Sequence, residues 1–83
     1  MLDEALKKPN RRTVGVKQTL RALEKGSALR VYVAKDAEGH VVRPILDQCR
    51  NHGIDVQDVQ TMVDLGKACG IEVGAAVAAL LTE

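Results

Sequence analysis

The sequence contains no Phe and no Trp, and Tyr32 is its sole aromatic residue. A core must therefore be assembled from Val, Leu, Ile and Ala. The same shortage removes the aromatic platforms on which single-strand-binding proteins stack bases. Cysteine is nearly as scarce: Cys49 and Cys69 stand 20 residues apart with no Cys-x-x-Cys pairing. Neither a disulfide framework nor a zinc site follows from such spacing. Each lies among apolar neighbours and reads as a small core residue. With no secretory signal ahead of them, a reducing cytoplasm is the expected compartment. His40 and His52 also lack a partner at metal-ligand spacing, and surface positions are expected for both. There is no Gly-x-Ser-x-Gly elbow and no phosphate-binding Gly-x-x-x-x-Gly-Lys run, so no enzyme and no cofactor are expected. The apolar tail from Val73 to Leu81 is far shorter than the roughly 20 residues of a membrane span, and no membrane partner is expected.

Eighty-three residues suit one domain over 1–83. A chain of this size buries only roughly 60% of its unfolded surface. Large enzyme clefts are hard to fit into such a core. The net charge of +1 conceals an asymmetry: residues 1–35 hold nine basic and three acidic side chains, a formal charge of +6, while residues 36–83 hold three and eight, a charge of −5. Such clustering is the footprint of a nucleic-acid surface or an acidic partner.

Residues 2–8 pattern as a short helix with acids first and lysines last, ended by Pro9-Asn10. Arg11 to Val14 form a brief strand, and Gly15 opens a helix that runs to about Lys25 and stops at Gly26-Ser27. Leu29 to Ala34 is an almost continuous apolar run, as expected of a central strand covered on both faces. The polar loop Lys35 to Gly39 follows at its carboxyl end, where open α/β sheets place ligands. Pro44 fits the first turn of a helix that carries Val42, Ile45, Leu46 and Cys49 on one face and stops at Gly53. Ile54 to Val59 reads as a strand, Thr61-x-x-Asp64 as a capping box opening a helix that closes at Gly70, and Val73 to Leu81 as the last strand. This αβαβαβαβ order predicts a three-layer α/β/α sandwich around a mixed or mostly parallel four-stranded sheet.

The stretch Thr13 to Arg21 draws most attention. In a helix opened at Gly15, Val16, Leu20 and Leu23 share an apolar face, and Lys17, Gln18 and Arg21 lie together on another. Gly15 permits close backbone approach, and the first N–H groups of the helix have no intrahelical partner and favour anions. A glycine turn followed by a solvated polar face is the plainer reading of the same spacing. Asp55, Asp58 and Asp64 straddle a strand and a helix start, so capping and solvation explain them better than a divalent ion does.

Three segments in order, Gly15-Val-Lys-Gln-Thr-Leu-Arg21, Val33-Ala-Lys-Asp36 and Leu65-Gly-Lys-Ala-Cys-Gly-Ile-Glu-Val-Gly-Ala-Ala76, resemble the ribosomal protein L-seven-Ae family, especially its short bacterial members, and its relative L-thirty-e. The resemblance runs nearly end to end. It implies an α/β/α sandwich that binds kink-turns, RNA helices sharply bent at an internal loop flanked by tandem sheared G·A pairs. In the family signature Gly-x-Asn-Glu-x-x-Lys the polar residues reach the G·A edges; those positions are here Lys17, Gln18 and Arg21. The loop that covers flipped-out nucleotides corresponds to Gly70-Ile71-Glu72-Val73-Gly74. The site expected from this resemblance comprises Gly15, Val16, Lys17, Gln18, Arg21, Lys35, Ile71, Glu72, Val73 and Gly74. Lys17 cannot accept a hydrogen bond as Asn does, and Gln18 is neutral where the family has Glu. Expected partners are kink-turn RNA and the ribosome, with the chain a monomer. Two other functions compete: a ribosome-associated structural protein holding RNA mainly through phosphates, and a protein-interaction module using Asp47, Asp55, Asp58 and Asp64 as one acidic face.

Overall fold

The computed structural model describes residues 4–82. Four strands, β1 (Arg12–Val14), β2 (Ala28–Ala34), β3 (Val56–Val59) and β4 (Val77–Leu81), form one sheet in the order β1-β4-β2-β3. β4 runs antiparallel to both β1 and β2, whereas β3 lies parallel to β2. A parallel pair requires a crossover, and α2 (Gly39–His52) supplies it. Helices α1 (Val16–Glu24) and α2 cover one face, where Ala22, Leu23, Val42, Ile45 and Cys49 pack on Val31, Val33, Val77 and Ala79. Helix α3 (Met62–Ala68) and a 3-10 turn at Glu4–Lys7 cover the other, with Leu6, Leu65 and Cys69 on Tyr32, Ala78 and Leu80. The expected α/β/α sandwich with a mixed sheet is what forms. Alternation along β4 sends successive side chains to opposite layers, and its alanines let helices on both sides approach closely.

Several element boundaries differ from the sequence reading, each for a local reason. The first helix is a 3-10 turn at Glu4–Lys7 followed by a second at Pro9–Arg11, because Lys8 is extended and Pro9 opens a new turn instead of ending one. Residues 2 and 3 of the expected helix lie outside the described residues. On α1 the deepest positions are Thr19, Ala22 and Leu23, whereas Val16 and Leu20 are only half buried. The threonine is tolerated because its hydroxyl meets that of Thr13 on the neighbouring strand at 3.0 Å. Pro44 lies in the second turn of α2, since the helix already starts at Gly39 with Val41 and Val42 both donating to the Glu38 carbonyl. Its missing N–H costs little here, for His40 and Pro44 are both exposed and water reaches the carbonyl left over. Leu46 falls at the margin of the apolar stripe and is 37% exposed.

Ile54 and Asp55 do not join β3. Gly53 adopts the left-handed conformation (φ 66°), and the Ile54 N–H returns to the Cys49 carbonyl, so Ile54 closes α2 and packs on its core. Residues 73–76 likewise precede β4 and lie along α3. The capping box holds: Thr61 Oγ1 accepts from the Asp64 N–H at 3.0 Å. Both thiols are free and buried. Desolvation pushes each above the ordinary value of 9.0, and at Cys69 the Arg12 guanidinium pulls partly in the opposite direction.

Two outcomes follow. The stability gained by burying neutral thiols is intact below about pH 9.0 and declines as the pH rises toward the elevated folded-state values. Native protein at pH 8 should therefore react far more slowly with a thiol-specific disulfide reagent than urea-unfolded protein does; equal rates would show the thiols accessible. Gly66→Ala should cost about 2 kcal/mol or more, because the added Cβ would run into the Val73 carbonyl. Thermal melting should register a fall in Tm on the order of 10 °C.

Candidate nucleic-acid interface

The strand directions gather distant segments at one end of the sheet. The carboxyl ends of β1, β2 and β3 and the amino end of β4 all lie there. This edge carries Gly15 and the start of α1, the Lys35–Glu38 loop, the start of α3 and the approach to β4. Gly15 is the N-cap of α1, with φ 96° and ψ 161°, a conformation open to glycine and strained for other residues. Its N–H donates to the Val77 carbonyl at 2.9 Å, fastening the turn to β4. The Gly15 carbonyl accepts from Thr19, so the N–H groups of Val16, Lys17 and Gln18 have no intrahelical acceptor. No side chain caps them and the first turn contains no acid.

Lys17, Gln18 and Arg21 are all exposed on this helix. A lysine near the positive end of the helix dipole, one turn from an arginine, runs against the usual electrostatic preference. Gln18 and Arg21 also border a shallow groove of about 200 Å³ shared with Thr13, Lys25, Ser27 and Leu81. Together these groups present hydrogen-bond donors and positive charge, with the Gln18 carbonyl oxygen as an acceptor.

The opposite flank of the edge is built on α3. Asp36 Oδ1 accepts from the Met62 N–H at 2.8 Å, capping a helix 26 residues away. With Thr61 accepting from the Asp64 N–H as well, side chains cap the N-terminus of α3, whereas none caps that of α1. The segment after α3 folds back along it. The Ile71 N–H donates to the Gly66 carbonyl, the Ala75 N–H donates to the Met62 carbonyl, and Gly74 is pressed against Met62. Ile71 is consequently half buried and packed on the α3-side core, while Val73 is 70% exposed. Glu72 and Gly74 are exposed, and so is Lys35 at the end of β2.

Of the expected site residues from Gly15 to Arg21, Lys17, Gln18 and Arg21 are exposed, while Gly15 and Val16 are half buried and Val16 packs on the core. Lys35 stands on the same edge at the end of β2, with β4 between β1 and β2. Strands are spaced about 4.8 Å apart. Residues 71–74 bound the far side, Val73 being the member that offers apolar surface. Sequence reasoning missed Asp36 as a cap, Thr13 as the partner of Thr19, and Arg12. The Arg12 guanidinium donates to the carbonyls of Leu6 at 3.0 Å and Cys69 at 3.2 Å, so this basic residue is structural. The imagined acidic face does not form, because Asp47 on α2 and Asp64 on α3 lie on opposite layers of the sheet. Among the described residues no group of three or more His, Cys, Asp or Glu side chains could hold a metal ion, and no helix is long and apolar enough to cross a membrane.

The model of the ribosomal protein L7Ae/L30e/S12e/Gadd45 family matches residues 2–83. The chain belongs to this family. An RNA-binding protein of Caldanaerobacter subterraneus subsp. tengcongensis is 51% identical over 71 residues, covering 86% of this chain and 87% of that protein. The large ribosomal subunit protein eL8 of Halobacterium salinarum is 38% identical over 68 residues, 81% of this chain and 57% of that protein. Among solved structures, the Giardia lamblia 15.5kD RNA binding protein superposes with a TM-score of 0.88 at 22% identity, covering 96% of this chain and 68% of that one. That likeness shows the shared fold.

Asp36→Ala would leave the Met62 N–H without its acceptor. A loss of about 1 kcal/mol is expected, measured by urea unfolding, together with faster hydrogen exchange at the Met62 amide; unchanged exchange would exclude the cap.

Proposed function

We propose that this chain is an RNA-binding module that recognises kink-turns and stabilises their bent form. One observation carries the reading: the N-terminus of α1 is left uncapped and without acids, yet bears exposed Lys17 and Arg21 beside Gln18. An isolated protein gains nothing from that arrangement. A departure from local electrostatic preference at an exposed site points to function. An anionic ligand resolves it, because unpaired helix N–H groups and the dipole both favour a phosphate.

RNA is read where bases are unpaired or splayed, as at an internal loop. Lys17 and Arg21 donate to guanine O6 or N7, and Gln18 both donates and accepts at a base edge. Gly15 has no Cβ, so the sugar–phosphate chain can approach the turn closely. On the far flank Val73 offers its apolar surface to an unstacked nucleotide, and Lys35 contributes charge between the two. Binding the bent conformer more tightly than the extended one shifts the population by that difference in affinity. The names of the family relatives support RNA as the ligand. The chain acts as a monomer in the cytoplasm, with structured RNA, including that of the ribosome, as its partner.

Titration into a kink-turn RNA, beside the same RNA with its sheared G·A pairs replaced by Watson–Crick pairs, tests this reading at fixed moderate salt. At least a ten-fold preference for the first, about 1.4 kcal/mol, is expected. Gln18→Ala and Arg21→Ala should each weaken binding by about 1–3 kcal/mol while leaving Tm nearly unchanged, since both side chains are exposed. Equal binding to the two RNAs would mean contact mainly through phosphates, and unchanged affinity in both variants would remove α1 from the interface.

A further inference from the structure

We infer that Lys7, Lys8 and Lys67 form a second RNA-contacting surface, which grips the phosphates of the helical arm beyond the internal loop; this rests on the kink-turn reading above. The basic half of the chain does not all lie on α1. Lys7 and Lys8 belong to the amino-terminal 3-10 segment, which Leu6 anchors in the α3-side core at 0% exposure. The Arg12 guanidinium then clamps this segment to the end of α3 by bonding the Leu6 and Cys69 carbonyls together. The Lys7 side chain is thereby brought within about 4.0 Å of the position a Cβ would take on Gly70, where the 70–74 segment begins. Lys67, in the last turn of α3, is exposed nearby.

These lysines lie outside the surface already described. α3 runs from the binding edge toward them for seven residues, about 10 Å at 1.5 Å per residue. That distance is comparable with the screening length at about 0.1 M salt, so a duplex held at the edge feels their charge. Complementing helix C-termini accounts for Lys7 and Lys67 in part. It does not account for Lys8, which stands between the two 3-10 turns in extended conformation. All three are exposed, and among the described residues none of them makes an ion pair. The clamp by Arg12 holds the lysines at a fixed distance from the binding edge, as a backbone contact in register with base recognition requires.

The test compares wild type, Lys7→Gln/Lys8→Gln and Lys67→Gln on three kink-turn RNAs, one with a long arm on each side and two in which one or the other arm is cut to a few base pairs. Salt dependence is measured for each, and the Watson–Crick-substituted RNA is run in parallel. Glutamine keeps the methylene packing beside Gly70, and equal Tm values establish that the variants are folded. On the long-armed RNA the double variant should lower the slope of log affinity against log salt by roughly 1.5, for two lost contacts, while the preference for sheared G·A pairs stays at the wild-type ratio. Lys67→Gln should lower it by about half as much, and shortening one particular arm should abolish both effects. An unchanged slope on the long-armed RNA, with G·A preference intact, overturns this surface and leaves the kink-turn reading standing. Loss of G·A preference in wild type, with the slope still reduced in the variants, overturns the kink-turn reading and supports the lysines as phosphate contacts.

Discussion

The close contact between α3 and the segment that follows it is the constraint on which the rest depends. Gly66 has no side chain, and the Val73 carbonyl occupies the space where one would be. This lets residues 71–75 return along α3, bonded to it at Gly66 and Met62, and deliver β4 into the middle of the sheet. The Val77 carbonyl then stands where the Gly15 N–H can reach it. A side chain at one helical position would thus disturb the approach to β4 and, through it, the turn that opens α1.

β4 in turn explains how 83 residues with Tyr32 as the single aromatic make two cores. Its residues alternate between the layers, with Val77 and Ala79 facing α1 and α2 and Ala78 and Leu80 facing α3. Small side chains in the centre keep the layers thin. Some of the polar atoms that this thinness traps are satisfied locally, Thr19 pairing with Thr13 and Arg12 serving two carbonyls, whereas the buried Tyr32 hydroxyl has no hydrogen-bond partner among the described residues. Buried polar groups cost stability unless they are paired, so these bonds are a condition of the packing.

The same architecture separates two kinds of helix end. α3 is capped by Asp36 from the β2–α2 loop and by Thr61 from its own start, while α1 begins at a bare glycine. The second combines open N–H groups with exposed positive side chains. This end of the sheet is the edge proposed above to face the ligand. The edge combines backbone donors, three polar side chains and an exposed valine, which suits a ligand presenting phosphates, base edges and an apolar face.

The sequence by itself determined the element order, the α/β/α class and the segment Gly15 to Arg21. Hydrophobic period, glycine stops and the Thr61 capping pattern are local, and local signals survive in a linear string. The resemblance carried by three segments added the loop Gly70 to Gly74 to the expected site. Tertiary structure decided what depends on residues far apart in the chain. Which strand lies between β1 and β2, that Asp36 caps α3, that Arg12 is structural while Lys7 stays free in solvent, and that Ile71 packs inward while Val73 points out are all set by packing. No sequence period encodes them, because a basic or apolar residue reads the same whether a distant carbonyl or layer claims it or solvent does.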